Sequence, residues 1–113
     1  MRLQITFSKV KWKKKFSMLT WIVYDISKDK TRNKVSKICK NYGLYRVQKS
    51  AFLGDLNKNQ IDEIIISIKE IADKEKDSIY IFPMCNEDFE KVKIIGIPFD
   101  KELVADKIKA FFV

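Results

Sequence analysis

The chain has 113 residues, 46% hydrophobic and 34% charged, enough for one folded domain with a real core and too few for a two-domain enzyme. It contains no histidine, which excludes Ser/His/Asp triads, Cys/His pairs and imidazole-ligated zinc, so carboxylates must carry any acid, base or metal chemistry. No apolar run approaches the roughly eighteen residues of a membrane span, and three glycines with two prolines leave little room for long linkers, so a soluble cytoplasmic protein without a membrane partner is expected.

The net charge of +8 is unevenly spread. Residues 1–17 carry six bases, Arg2, Lys9, Lys11, Lys13, Lys14 and Lys15, and no acid, leaving 17 bases against 15 acids from Met18 onward. This leader lacks the apolar stretch of a secretory signal. Three readings stand: Met18 is the true initiator and the leader an over-extended start; the leader is a flexible basic arm that touches phosphates; or Leu3 to Val10 form an extra edge strand. The expected organisation is a leader over 1–17, a folded domain over 18–98 and a tail, helical in pattern, over 99–113.

From Thr20 to Ile26 the chain is apolar, β-branched or aromatic at nearly every position, which predicts a central strand buried on both faces. Period two sets Trp21, Val23 and Asp25 on one face and Ile22, Tyr24 and Ile26 on the other, with a carboxylate at the strand's C-terminal end. Trp21 is assigned to the core. Asp29 to about Tyr42 follows as a helix, its apolar stripe Val35, Ile38, Cys39 and Tyr42, its end set by Gly43, its polar side cationic through Lys30, Arg32, Lys34, Lys37 and Lys40.

Leu44 to Leu56 reads as two short strands broken near Lys49 and Ser50, with Gly54 at a bulge or exit turn. Asn57 caps a second helix with the stripe Ile61, Ile64, Ile65, Ile68 and Ile71 or Ala72. Ser78 to Met84 predicts another buried strand, ending or lying at an edge near Pro83. Val92 to Ile97 predicts a fifth strand, and Asp100 can cap a terminal helix. Cys39 and Cys85 are too far apart for a CxxC knuckle and are expected as reduced core residues.

The order β, α, β, β, α, β with an added strand is an α+β sandwich, an antiparallel sheet with both helices on one face. The other face is expected to be bare and covered by a second copy, making a homodimer. The one constellation able to carry chemistry is Asp25, with Tyr24 beside it and Arg32, Lys34 and Arg46 near. An acid there also serves as a turn-former or cap. As a metal site it is a single carboxylate, which a two-fold axis would double to suit magnesium. Ser50 would hydrogen-bond a phosphate or shape its turn; Phe52 would pack at the dimer seam or stack on a base.

The segment WIVYDIS, followed by KDKTRNKVSKICKNYGLYRVQKSAFLGDL, resembles the CRISPR-associated Cas2 family, from Met18 to about Ile97. The resemblance implies a ferredoxin-like homodimer whose late strand pairs with the partner's sheet. It carries the family's strand-end aspartate onto Asp25 as catalytic and metal-binding residue, with Mg2+ or Mn2+ as cofactor. Tyr24, Arg32, Arg46, Ser50 and Phe52 take the places of its other site residues, as does Lys34 where some relatives have a second arginine. The implied activities are metal-dependent cleavage of RNA or DNA in spacer acquisition, or a scaffold that binds spacer DNA and bridges CRISPR integrase dimers. A free-standing RNase or RNA-binding module of the same fold is the third option.

Overall fold

The computed structural model describes residues 5–6 and 18–95. Its elements in chain order are β1 (Ile5–Thr6), β2 (Leu19–Asp25), α1 (Asp29–Asn41), β3 (Tyr45–Gln48), β4 (Ala51–Asp55), α2 (Lys58–Ile71), β5 (Ser78–Met84), α3 (Asn86–Glu90) and β6 (Lys93–Ile94). Strands β2 to β5 form an antiparallel sheet in the order β3-β4-β2-β5, so β2 is central as its apolar sequence predicts. This is the ferredoxin-like βαββαβ arrangement.

Alternation along β2 sends Ile22 and Tyr24 into the layer under the helices, and Ile26 follows them; all three are buried. They meet Val35 and Cys39 of α1 and Ile61, Ile64 and Ile68 of α2 in one core cluster. Each helix boundary has a local cause. Gly43 takes φ +82°, and the Leu44 N–H returns to the Cys39 carbonyl at 3.1 Å, which closes α1. Asn57 and Gln60 exchange side-chain to backbone hydrogen bonds of 2.8 and 2.9 Å, a capping box that starts α2.

The strand break falls at Lys49 and Ser50 as predicted, but the bulge lies between Arg46 and Gln48 rather than at Gly54. Gly54 has another reason: a Cβ there would sit 2.8 Å from Leu44 Cδ2 and 3.1 Å from Leu44 Cα, so the chain after α1 crosses β4 this closely because glycine leaves the space open.

Four expectations need correction. Strand β5 lies at a sheet edge, one of the two readings of Pro83, but it is not buried: Tyr80 and Phe82 are about half exposed. Trp21 is half-buried outside the core cluster, on the face away from the helices. Cys85 is exposed at the N-cap of α3; Cys39 alone is buried, and both are free thiols. Of the strand predicted over Val92 to Ile97, Lys93–Ile94 is strand and residues 96–97 lie outside the described residues, while Asn86–Glu90 before it winds into an unpredicted short helix with Glu87 and Asp88 in its first turn and Phe89 buried.

Strand β6 pairs with β1 of the same chain in a separate two-stranded sheet, with Ile5 opposite Ile94 and Thr6 opposite Lys93. The second face of the main sheet is not uniformly bare either. Leu53 and Ala51 on β4 are buried, and the open surface is concentrated on Tyr80 and Phe82 of β5, whose rings stack at 6.1 Å. The tail over 99–113 lies outside the described residues.

Candidate nucleic-acid interface

Asp25 is the last residue of β2, exposed, opposite Ser78 of β5. Among the described residues its carboxylate has no hydrogen-bond or ion-pair partner. Period two puts it on the face of Trp21 and Val23, away from the helices, as the sequence predicts.

The neighbouring Tyr24 points the other way. It is 4% exposed, its backbone N–H donates to the Ser50 carbonyl at 3.0 Å, and its ring stacks on Phe52 at 6.3 Å. Burial pushes the phenol pKa up against the pull of a hydrogen bond from Arg46 and of its charge. Tyr24 is therefore a neutral hydroxyl at physiological pH. Its edge lines a cavity of about 390 Å³ together with Arg32, Asn33, Arg46, Lys49 and Ser50. Three cations, a phenol, an amide and a hydroxyl around one concavity suit an anion, a phosphate above all.

The two arginines are held differently. Arg32 Nη1 donates to the Ile26 carbonyl at 3.0 Å and the Ser27 carbonyl at 3.4 Å, while Nη2 pairs with the Asp29 carboxylate. Much of its donor capacity braces the loop that leaves Asp25 and enters α1. Arg46 rises from β3, lies 5.2 Å above the Phe52 ring centroid and donates from Nη2 to Ser36 Oγ of α1 at 2.6 Å. A cation–π contact contributes about 0.5–1 kcal/mol at an exposed site, and a hydrogen bond from a charged donor about 1.5–3 kcal/mol. Together these match the ~2 kcal/mol of rotamer entropy lost on ordering an arginine.

The structure thus gathers Tyr24, Arg32, Arg46 and Ser50 in one cavity and leaves three predicted residues, Asp25, Lys34 and Phe52, outside its lining. Asp25 faces away, and Lys34 stands exposed on α1 beside the exposed Lys37 and Lys40. Phe52 is 0% exposed, so neither a dimer seam nor a base can reach it; it is the floor under Arg46. Asn33 and Lys49 line the cavity unpredicted. Lys49 was visible in the sequence only as a turn residue, and Asn33 carried no signal.

Magnesium is the cofactor the resemblance implies. No three His, Cys, Asp or Glu side chains converge among the described residues, and the carboxylate at this strand end is that of Asp25. Asp25 supplies the hard oxygen ligand magnesium prefers, exposed and uncommitted, and one or two such carboxylates with waters and substrate oxygens are the usual set. The donor type fits, and the count fits if a second copy contributes.

The fold and cavity define a small ferredoxin-like α+β protein with a cation-lined cavity near the end of its central strand. Residues 18–92 match the family described as CRISPR associated protein Cas2, and the chain belongs to that family. It is 38% identical to the CRISPR-associated endoribonuclease Cas2 of Desulforudis audaxviator, over 71% of this chain and 76% of that one. It is 36% identical to the CRISPR-associated endonuclease Cas2 of Halalkalibacterium halodurans, over 70% and 86%. The crystal structure of Streptococcus pyogenes Cas2 superposes with a TM-score of 0.61 at 26% identity, covering 70% of this chain and 100% of that one. A hypothetical protein from Thermus thermophilus gives 0.58 at 29% identity, covering 65% and 85%. No helix among the described residues is long and apolar enough to cross a membrane.

Proposed function

We propose that this chain acts in CRISPR spacer acquisition as a homodimeric, magnesium-dependent endonuclease on RNA or DNA phosphodiesters. The observation that carries the reading is the exposed carboxylate of Asp25 at the end of the central strand, unpaired among the described residues, in a family whose relatives are named endoribonuclease and endonuclease. Asp25 and the partner's Asp25 would hold the ion, and the bound metal would polarise a phosphodiester and lower the pKa of a water.

The remaining residues bind and orient. Arg46 and Lys49 neutralise a backbone phosphate, the neutral Tyr24 hydroxyl and Ser50 are available as hydrogen-bond donors to it, and Arg32 steadies the loop beside Asp25. Because Tyr24 and Asp25 face opposite sides of the sheet, the pocket grips a phosphate next to the reacting one rather than the reacting phosphate itself.

A second reading, a non-catalytic scaffold that binds spacer DNA and bridges integrase dimers, is favoured by one observation. The exposed row Lys34, Lys37 and Lys40 on α1 lies outside the cavity, where it would serve duplex phosphates and not a cut. Incubating the protein with labelled RNA and duplex DNA, with magnesium or with EDTA, separates the two. Cleavage only with magnesium supports the nuclease; salt-sensitive duplex binding and integrase capture without cleavage support the scaffold.

A further inference from the structure

We propose that Ser36 is a positioning residue that aims Arg46 into the anion cavity; this rests on the reading of that cavity as a phosphate site. Ser36 sits in the middle of α1, 6% exposed, and it and Thr20 are the buried polar residues among those described. The two are satisfied in different ways. Thr20 Oγ1 donates locally to the Met18 carbonyl, whereas Ser36 Oγ accepts from Arg46, ten residues away on another element, at 2.6 Å. Among the described residues that arginine is the hydroxyl's one partner.

Helix stability does not explain a serine at this position. In a buried helix interior alanine has the higher propensity and leaves no polar atom to desolvate. What the hydroxyl adds is an anchor on one guanidinium nitrogen. Phe52 beneath the guanidinium supplies the second restraint, at 5.2 Å from its ring centroid. With one edge and one face held, the rest of the fork has a defined direction, and Arg46 lines the cavity with Lys49 and Tyr24. A loosely held lysine would keep the charge and lose the direction.

The test compares the full-length chain with Ser36→Ala, Arg46→Ala and the double variant. Three quantities are read: melting temperature, the order of the Arg46 Nε–Hε group by 15N NMR relaxation, and affinity for a short single-stranded oligonucleotide at fixed salt. Ser36→Ala is expected to melt no lower than the parent, to loosen the Arg46 guanidinium and to weaken oligonucleotide binding about fivefold. On an Arg46→Ala background it should weaken binding no further, since the residue acts through that arginine. An Arg46 group as ordered as in the parent overturns the proposal, and so does unchanged affinity in Ser36→Ala where Arg46→Ala weakens it. If Arg46→Ala itself binds as the parent does, the phosphate reading of the cavity fails, and the positioning role falls with it even if the guanidinium has loosened.

Discussion

Tyr24 and Asp25 are consecutive residues of β2 whose side chains serve opposite faces of one sheet: the tyrosine is buried in the layer under the helices and lines the cationic cavity, and the carboxylate is exposed on the other side. The proposed metal ligand and the proposed backbone-phosphate pocket thereby lie on different faces of a single strand end. Each then depends on its own supporting residues, and each can be disturbed separately.

Leu44 crosses Gly54 so closely that no unshifted side chain fits there. Gly54→Ala places a methyl 2.8 Å from Leu44 Cδ2 and 3.1 Å from its Cα, so the chain after α1 must shift. The expected cost is about 1–3 kcal/mol, typical of overpacking, read as a lower denaturant midpoint with an unchanged slope. Leu44→Ala should cost less on the Gly54→Ala background than alone. Full additivity would contradict the contact.

Burial pushes the Cys39 thiol up from 9.0 to about 12. The unfolded chain then loses this proton near pH 9.0 while the folded chain keeps it, so the unfolded state binds fewer protons in between. The stability due to the neutral buried thiol is complete below pH 9.0 and is lost as pH rises toward about 12. Unfolding free energies followed through that window should decline more steeply for the parent than for Cys39→Ala. A thiol reagent at neutral pH should find the exposed Cys85 at once and Cys39 only after denaturation.

The dimer surface is predicted from Tyr80 and Phe82. They are 56% and 49% exposed, stacked on each other, and paired in register with Val23 and Trp21; the Trp21 indole N–H is buried without an acceptor among the described residues. Tyr80→Lys with Phe82→Lys should convert a dimer into a folded monomer, measured by light scattering on a sizing column. A dimer that persists would move the interface elsewhere.

How far the sequence determines this arrangement differs from element to element. Strand β2 and both long helices follow directly from apolar spacing, because burial on one face imposes a period, and Gly43 and Asn57 mark their ends through local chemistry. The facing of Tyr24 and Asp25 is equally local. Phe52 is not: alternation says which residues share its face but not that Arg46 and Tyr24 cover it. Ser36 falls on the buried side of α1, and nothing in the helical pattern says that Arg46 of β3 donates to it. Helix α3 is five residues long, too short for periodicity to reveal.

The four-stranded sheet and the core cluster lie within residues 18–95, and the described link to the leader is the short ladder of Ile5–Thr6 with Lys93–Ile94. Deleting residues 1–17 should leave a soluble, cooperatively melting protein. Loss of soluble protein would make the leader part of the fold.

The most direct measurement of the central claim sets the parent beside Asp25→Ala, with cleavage of labelled RNA and duplex DNA in magnesium read together with dimer mass and melting temperature. The account predicts that cleavage disappears while mass and melting temperature hold, because the exposed carboxylate has no structural partner among the described residues. Cleavage that survives in Asp25→Ala, or a dimer that falls apart in it, would contradict the assignment of this carboxylate as the metal ligand.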